Sequence, residues 1–216
     1  MSQHSKCLLF FPEHYFNDAI ENVMPKIGME QVRRQQLIDA TIDVVADVGL
    51  RGATINLISK KAGMSSGIIS HYFGGKQALI EASVRFLLSK LKLETSPESP
   101  VGRLMKIVDL NFSNLQQADS CTKTWLCFWG ESMHDNSLYR LQEVNKKRLV
   151  SNLRYSFKQL MPAERAAEEA EITAALIDGF WLRCALSRYN ESKFDEAKRH
   201  IKNYINAVLE NYSKHE

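Results

Sequence analysis

The stretch TINLISKKAGMSSGIISHYFGGK, residues 54–76, contains two short segments whose apolar residues recur at helical spacing, with a glycine between them. Thr54 is a preferred N-cap residue and predicts a first short helix, which Gly63 ends. Ser65 is predicted to cap a second short helix, which the following pair of glycines breaks. Two short helices that meet at a small, flexible residue are typical of a helix-turn-helix.

The five residues GMSSG at 63–67 also match G-x-S-x-G, the turn that presents a nucleophilic serine in α/β-hydrolases. That turn requires a buried strand before the serine, whereas a capped amphipathic helix precedes Ser65. His71 lies on the same short helix as Ser65, and nothing marks an acid that would orient it. A serine hydrolase that uses Ser65 is therefore a remote alternative, and we predict no catalytic residue.

The second short helix has the side chains that an approach to DNA requires. Three of its residues are predicted to face outward and are small enough to let the helix enter the major groove, about 12 Å wide. These are Ser66, Gly67 and Ser70. Other residues offer hydrogen-bond donors at helix ends, which suit phosphate contacts that set position rather than sequence. These are Thr54, Ser65, Tyr72 and Lys76.

Charge is concentrated around the same region. Residues 24–95 carry ten Lys and Arg against six acids, whereas the whole chain has a net charge of +3. Arg33 and Arg34 lie at the start of a predicted helix over 31–48, which Gly49 ends. The helix dipole disfavours cations there, so we expect both to have an anionic partner. A basic segment on a nearly neutral body indicates nucleic-acid binding.

Composition limits the class of protein. The four cysteines, at positions 7, 121, 127 and 184, form no C-x-x-C pair and predict reduced thiols in the cytoplasm. No run approaches the roughly 20 apolar residues that a membrane span requires. We therefore predict a cytoplasmic protein with no membrane contact, no metal and no cofactor.

Periodicity is helical along the chain. Only five prolines interrupt it, and strand alternation is absent, so the sequence predicts an all-α fold. Helices are expected over 31–48, 55–61, 76–93, 101–117, 120–134, 137–160, 163–188 and 195–211, besides the short one after Ser65. The run SPESPVG at 96–102 is the plausible domain joint. We expect a leader or disordered arm over 1–23, a helix-turn-helix DNA-binding domain over 24–75 and a helical ligand-binding and dimerisation domain over 76–216.

Aromatic residues are concentrated in the predicted helical body. Trp125, Phe128 and Trp129 share one helix face, with Met133 a turn later. Asp178 and Trp181 share a face of another helix, and Tyr139 opens a third. Aromatic rings with a carboxylate suit a quaternary ammonium, which is held by ring faces because it cannot donate a hydrogen bond. Aromatic stripes at helical spacing are also common in ordinary cores, so both interpretations stay open.

Residues 54–80, TxxxISKKAGMSSGIISHYFGGKxxLI, resemble the DNA-binding head of TetR-family repressors. The family's mark is a glycine in the turn, then Y/H-F and a lysine. Ser59 stands where alanine is more frequent, and a glycine pair replaces the usual polar pair before Lys76. Segments elsewhere resemble a choline-responsive branch of this family, and residues 1–23 lie outside the resemblance. The segments are MPKIGM, RRQQLIDATI, KTWLCFWGESMH, LYRLQEVNKKRLVSNL and AALIDGFWLRCALS.

The resemblance implies a homeodomain-like three-helix head and a homodimer joined through the last two long helices. It also implies a repressor that binds a palindromic double-stranded operator, is released by choline and controls glycine betaine synthesis. The candidate DNA contacts are Arg33, Arg34, Thr54, Ser65, Ser66, Gly67, Ser70, His71, Tyr72 and Lys76. The candidate ligand contacts are Trp125, Phe128, Trp129, Met133, Tyr139, Asp178 and Trp181. Alternatives are a repressor of the same family that senses another cation or an apolar drug, and a helical protein-interaction module without DNA affinity.

Overall fold

The computed structural model describes residues 26–93, 99–187 and 191–213, and every secondary-structure element in these ranges is a helix. The all-α prediction is therefore confirmed. The predicted arm over 1–23, with Cys7, lies outside the described residues, as does the part of the predicted domain joint at 96–98. The helices are α1 Lys26–Gly52, α2 Ile55–Lys61, α3 Gly67–Phe73, α4 Lys76–Ser89, α5 Pro100–Asn111, α6 Asn114–Gln117, α7 Asp119–Ser132, α8 Asn136–Phe157, α9 Ala163–Ala185 and α10 Glu191–Ser213.

The boundaries of the helix-turn-helix follow from local backbone chemistry. Thr54 caps α2 as predicted, since its hydroxyl accepts a hydrogen bond from the Leu57 amide at 3.2 Å. Gly63, with φ of 67°, takes the left-handed conformation that lets the chain turn. The prediction that Ser65 caps α3 is wrong by one residue. The turn extends further, so the helix begins at Gly67 after Ser66, whose side chain makes no capping bond.

A helix predicted over 101–117 is interrupted in the structure. α5 ends at Asn111, and the short helix α6 follows. Gln116 and Gln117, at the end of that predicted helix, are both buried within α6. The Gln117 amide donates to the Phe112 carbonyl at 2.6 Å. The buried amide thus satisfies a carbonyl at the end of α5, which explains why polar residues occur inside the fold.

A continuous core joins the helix-turn-helix to the rest of the chain. Its fully buried members include Leu37 in α1, Ile69 in α3 and Phe128 in α7. α1 packs along both α4 and α7, and α9 packs between α8 and α10. The Thr124 hydroxyl of α7 donates to the Ile42 carbonyl of α1 at 3.1 Å. α1 is therefore fixed to the body by apolar packing and by a buried hydrogen bond. Among the helices of the described ranges, none is long and apolar enough to cross a membrane.

Candidate DNA-binding surface and ligand site

α3 presents small and polar side chains on its solvent side. Ser66, Gly67, Ser70 and His71 are exposed, whereas Ile69 is fully buried. This division matches the outward face that the sequence predicts for a helix that enters the major groove. With no large side chain among its first exposed residues, the start of α3 is narrow enough for such an approach.

The predicted phosphate-contacting donors lie around α2 and α3, with different degrees of exposure. Thr54 and Ser65 are exposed, and Lys76 is half-buried at the first position of α4. Tyr72 is half-buried, with its ring in an edge contact with His71 at 4.9 Å between centroids. The structure thus brings these donors to one region of the chain, and contact with phosphate stays a prediction for each.

The two arginines of α1 have different environments. Arg33 is exposed, as expected of a side chain available to an anion. Arg34 is half-buried, and its guanidinium donates to the carbonyl oxygen of Tyr72 and lies over the ring of Phe73, 4.4 Å from the centroid. Its partner in the described chain is therefore the carbonyl end of α3 rather than an anionic group. The helix dipole makes that end partially negative.

Four predicted ligand residues form one ring cluster, which we call the aromatic cluster: Trp125, Phe128, Trp129 and Trp181. Centroid distances are 5.6 Å from Trp125 to Phe128, 6.2 Å from Trp125 to Trp129 and 5.1 Å from Trp129 to Trp181. Trp129 is half-buried and the other three are buried. Tertiary packing therefore joins the aromatic faces of α7 and α9.

The indole N–H groups of the aromatic cluster differ in their partners. The Trp125 Nε1 donates to the buried Gln116 side-chain oxygen at 2.7 Å. The Trp129 Nε1 is buried and has no acceptor within hydrogen-bond distance among the described residues. A buried donor without a partner is costly, so this N–H is available to a ligand that carries an acceptor.

The remaining predicted ligand residues are exposed, unlike the rings of the aromatic cluster. Met133 is 80% exposed, Tyr139 is 52% exposed, and Asp178 is also exposed. Desolvation raises the pKa of Asp178 to about 6 although the residue keeps solvent contact, and Lys146 opposes that rise. The structure therefore leaves these three side chains more exposed than the rings of the aromatic cluster, and their contact with a ligand stays a prediction.

Sequence reasoning missed two residues of this region. Gln116 was placed at the end of a predicted helix, and no local signal indicates that its amide oxygen meets Trp125. Phe194 packs against Trp181 with 6.4 Å between centroids. It was missed because α10 was predicted to begin at 195, whereas it begins at Glu191. Apolar spacing at the start of α10 was the signal that could have placed it.

Two family models match the chain. Residues 37–83 match the family described as bacterial regulatory proteins, tetR family. Residues 100–210 match the C-terminal domain of BetI-type transcriptional repressors. The chain belongs to the TetR family, in its BetI-type branch.

Curated relatives support the same assignment of this TetR-family chain. The HTH-type transcriptional regulator BetI of Vibrio vulnificus (strain YJ016) is 46% identical over 198 residues, which cover 88% of this chain and 100% of the relative. The regulator of the same name from Klebsiella pneumoniae (strain 342) is 48% identical over 171 residues, covering 76% and 88%.

Solved structures share the TetR-family fold. A TetR transcription regulator from Haloarcula marismortui superimposes with a TM-score of 0.70 at 17% identity, covering 82% of this chain and 98% of that one. A regulator from Saccharomonospora viridis, solved in complex with choline, gives a TM-score of 0.65 at 20% identity, covering 82% and 96%.

Membership of the TetR family decides between the alternatives left by the sequence. The chain is a DNA-binding transcriptional repressor and not an enzyme. The hydrolase that would use Ser65 is therefore wrong, as is the interaction module without DNA affinity. In the helix-turn-helix, Ser65 precedes the recognition helix α3.

Proposed function

We propose that this repressor binds a palindromic operator as a homodimer and is released by choline, and that it thereby controls glycine betaine synthesis. The observation that carries the ligand assignment is the aromatic cluster, in which Trp129 offers a buried N–H that has no acceptor among the residues that the structure describes. The similarity to regulators named BetI supports the same choice. Residues 24–75 form the DNA-binding head of this proposal, and residues 76–216 form the ligand-binding and dimerisation body.

Choline matches the chemistry of the aromatic cluster in two ways. Its quaternary ammonium is attracted to ring faces such as those of Trp129 and Trp181, by about 0.5–2 kcal/mol for each contact. Its hydroxyl oxygen accepts the hydrogen bond that the Trp129 Nε1 leaves unmade. Tetramethylammonium offers the same cation without the acceptor, so the proposal predicts that it binds more weakly.

Binding requires movement of the cluster, because Trp125 and Trp181 are packed in the core. The half-buried Trp129 is the member through which a ligand enters. α7 carries Trp125 and Trp129, and it also carries Thr124, which bonds to α1 of the head. A shift of α7 on ligand binding therefore changes the position of α1, which packs against α7. The coupling free energy between ligand and operator is typically about 1–3 kcal/mol in such systems.

The proposed dimer uses the exposed side of α9. Apolar and small residues recur there at coiled-coil spacing and are all exposed; they are Ile172, Ala175, Gly179, Leu182 and Leu186. Cys184 of α9, and Ile201 and Ile205 of α10, are buried within their own chain and belong to its core. A two-fold dimer separates the two recognition helices by one turn of DNA, about 34–36 Å, and so requires a palindromic site.

The decisive experiment measures operator affinity with and without choline. We expect choline to weaken operator binding, and operator to weaken choline binding by the same factor. Trp129→Phe keeps an aromatic face but removes the N–H, so its affinity for choline should fall towards that for tetramethylammonium. Equal operator affinity with and without choline would overturn the inducer assignment.

A second candidate inducer follows from the position of Asp178. Asp178 is exposed whereas the rings are buried or half-buried, and such rings also suit an apolar drug or another cation. A thermal-shift panel of choline, tetramethylammonium and alkyl ammonium drugs separates these cases. Selective stabilisation by the drugs would favour an efflux regulator over control of betaine synthesis.

A further inference from the structure

The recognition helix α3 has few internal means of fixing its own orientation. It contains seven residues, of which Ile69 is fully buried, and Ile68, Tyr72 and Phe73 are partly buried against the core. A helix this short is not stable in isolation, so its direction depends on contacts with other elements. Apolar packing is non-directional, so it fixes the position of so short a helix more firmly than its tilt. A second, directional contact is needed to set the angle of α3.

Arg34 makes that second contact. Its guanidinium donates to the carbonyl oxygen of Tyr72, in the last turn of α3, and lies over the ring of Phe73 at 4.4 Å. The last carbonyls of a helix lack intrahelical amide partners and carry its partial negative charge, so a guanidinium is favoured there. A cation over an aromatic face adds attraction. We call Arg34 with Tyr72 and Phe73 the Arg34 clamp.

The Arg34 clamp ties α3 to another helix of the chain. Arg34 belongs to α1, which is itself packed along α7 and α4, so the clamp anchors the end of α3 to a long and well-supported helix. Arg33, its neighbour, is exposed. Arg34 is therefore held against α3, whereas the adjacent Arg33 is open to solvent.

We infer that Arg34 is a positioning residue that sets the tilt of α3 and thereby the sequence specificity of the repressor. Phosphate contacts hold a protein on any duplex, whereas base contacts read sequence only when the helix enters the groove at the correct angle. Loss of the clamp should therefore harm specific binding and spare non-specific binding. This inference rests on DNA binding and is independent of the inducer.

The test compares two duplexes of equal length over a series of salt concentrations. One is the palindromic duplex that the wild-type protein selects from a random pool, and the other has the same bases scrambled. Arg34→Lys keeps the positive charge but removes the planar guanidinium. Phe73→Leu removes the ring and leaves Arg34 in place. The double variant measures their coupling, and Arg33→Lys is the matched control.

We expect Arg34→Lys and Phe73→Leu each to weaken binding of the selected duplex by about tenfold, as does a mismatched base pair. Binding of the scrambled duplex should be unchanged, as should the dependence of the logarithm of affinity on the logarithm of salt concentration. The double variant should bind the selected duplex with nearly the same affinity as the single variant that binds it less tightly. Arg33→Lys should leave the ratio of the two affinities unchanged.

A phosphate contact by Arg34 gives a different pattern. Arg34→Lys and Phe73→Leu would then keep the preference for the selected duplex, and Arg34→Ala would reduce the salt slope by about 1 on both duplexes. That result would overturn the inference. An equal loss on both duplexes by Arg34→Lys would overturn it as well, because the clamp is given no part in non-specific binding.

Discussion

Two glycines of the helix-turn-helix obey different constraints although they stand four residues apart. Gly63 has φ of 67°, in the left-handed region that L side chains rarely adopt. Gly67 is the first residue of α3 and has no such constraint. A Cβ added at either position would meet no atom within 4 Å, so any cost at Gly63 comes from the backbone itself.

Alanine substitutions should separate these two roles. We expect Gly63→Ala to lower the free energy of unfolding by about 1–2 kcal/mol, because alanine must adopt the left-handed conformation. Gly67→Ala should leave stability unchanged or slightly raised, yet weaken operator binding, since its methyl group lies on the proposed groove-facing side. Urea denaturation and operator titration of both variants test this, and equal destabilisation by the two would contradict it.

Asp178 should make stability depend on pH. Its pKa of about 6 in the folded protein exceeds the ordinary carboxyl value of 3.8. The folded state therefore binds this proton more tightly than the unfolded chain, and stability falls as pH rises from about 4 to about 6. Asp178→Asn lacks this titration, so its stability relative to wild type should be higher near pH 7 than near pH 4.

Asp135 provides a control of opposite sign. Hydrogen bonds from Ser137 and the Leu138 amide lower the pKa of its carboxyl, so its contribution to stability is lost as pH falls. Asp135→Asn should therefore have a lower free energy of unfolding than wild type near neutral pH. In acid the two free energies should become similar. Denaturation of both variants at one protein concentration tests the pair. The same pH trend in both would contradict the assignment.

At the level of elements, α7 is shared between the two halves of the proposed mechanism. One side contributes Trp125 and Trp129 to the aromatic cluster, and Thr124 meets α1 through its bond to the Ile42 carbonyl. Glu131, near the end of α7, lies 3.5 Å from the guanidinium of the exposed Arg51, a pair worth little by itself. The buried Thr124 bond is the stronger polar link between the helices.

Thr124→Val tests this link with almost no change of shape. Removal of the hydroxyl should cost about 0.5–1.5 kcal/mol of stability, as for a typical buried hydrogen bond. It should also reduce the factor by which choline weakens operator binding, because α7 then holds α1 less firmly. Thr124→Ser, which keeps the hydroxyl, is the control for loss of the methyl group. An unchanged choline effect in Thr124→Val would contradict this role for α7.

For the whole molecule, two exposed apolar positions distinguish the proposed dimer interface from the rest of the surface. Leu186, at the end of the α9 stripe, is 67% exposed, and Val144 on α8 is 62% exposed. The two residues are similarly exposed, but their surroundings differ. Leu186 continues a stripe of apolar and small residues, whereas Val144 lies among charged residues of α8 such as Arg140 and Lys147. A symmetric interface needs the first arrangement.

Leu186→Glu and Val144→Glu form a matched pair for the proposed dimer. Burial of an unpaired carboxylate is costly, so Leu186→Glu should raise the dimer dissociation constant by at least about tenfold. It should weaken binding to a palindromic operator accordingly. Val144→Glu should change neither property. Sedimentation at several protein concentrations gives the constants, and equal effects of the two variants would place the interface elsewhere.

The sequence by itself determined the helices and their boundaries where local chemistry decides them. The hydroxyl of Thr54 caps the start of α2. Gly63 and Gly74 adopt positive φ angles, which require no distant partner. The family motifs in the head and in the body likewise lie in continuous segments. Such features are predictable because their causes are neighbours in the chain.

The tertiary structure alone decided which side chains meet. Arg34 and its acceptor Tyr72 are 38 residues apart, and Thr124 and Ile42 are 82 residues apart. Trp129 meets Trp181 from another helix, while Asp178, three residues before the buried Trp181, is exposed. Periodicity gives the face of each helix but not the helix that covers it. Partners are set by the packing of whole elements, which maximises burial over the entire core rather than within any one segment.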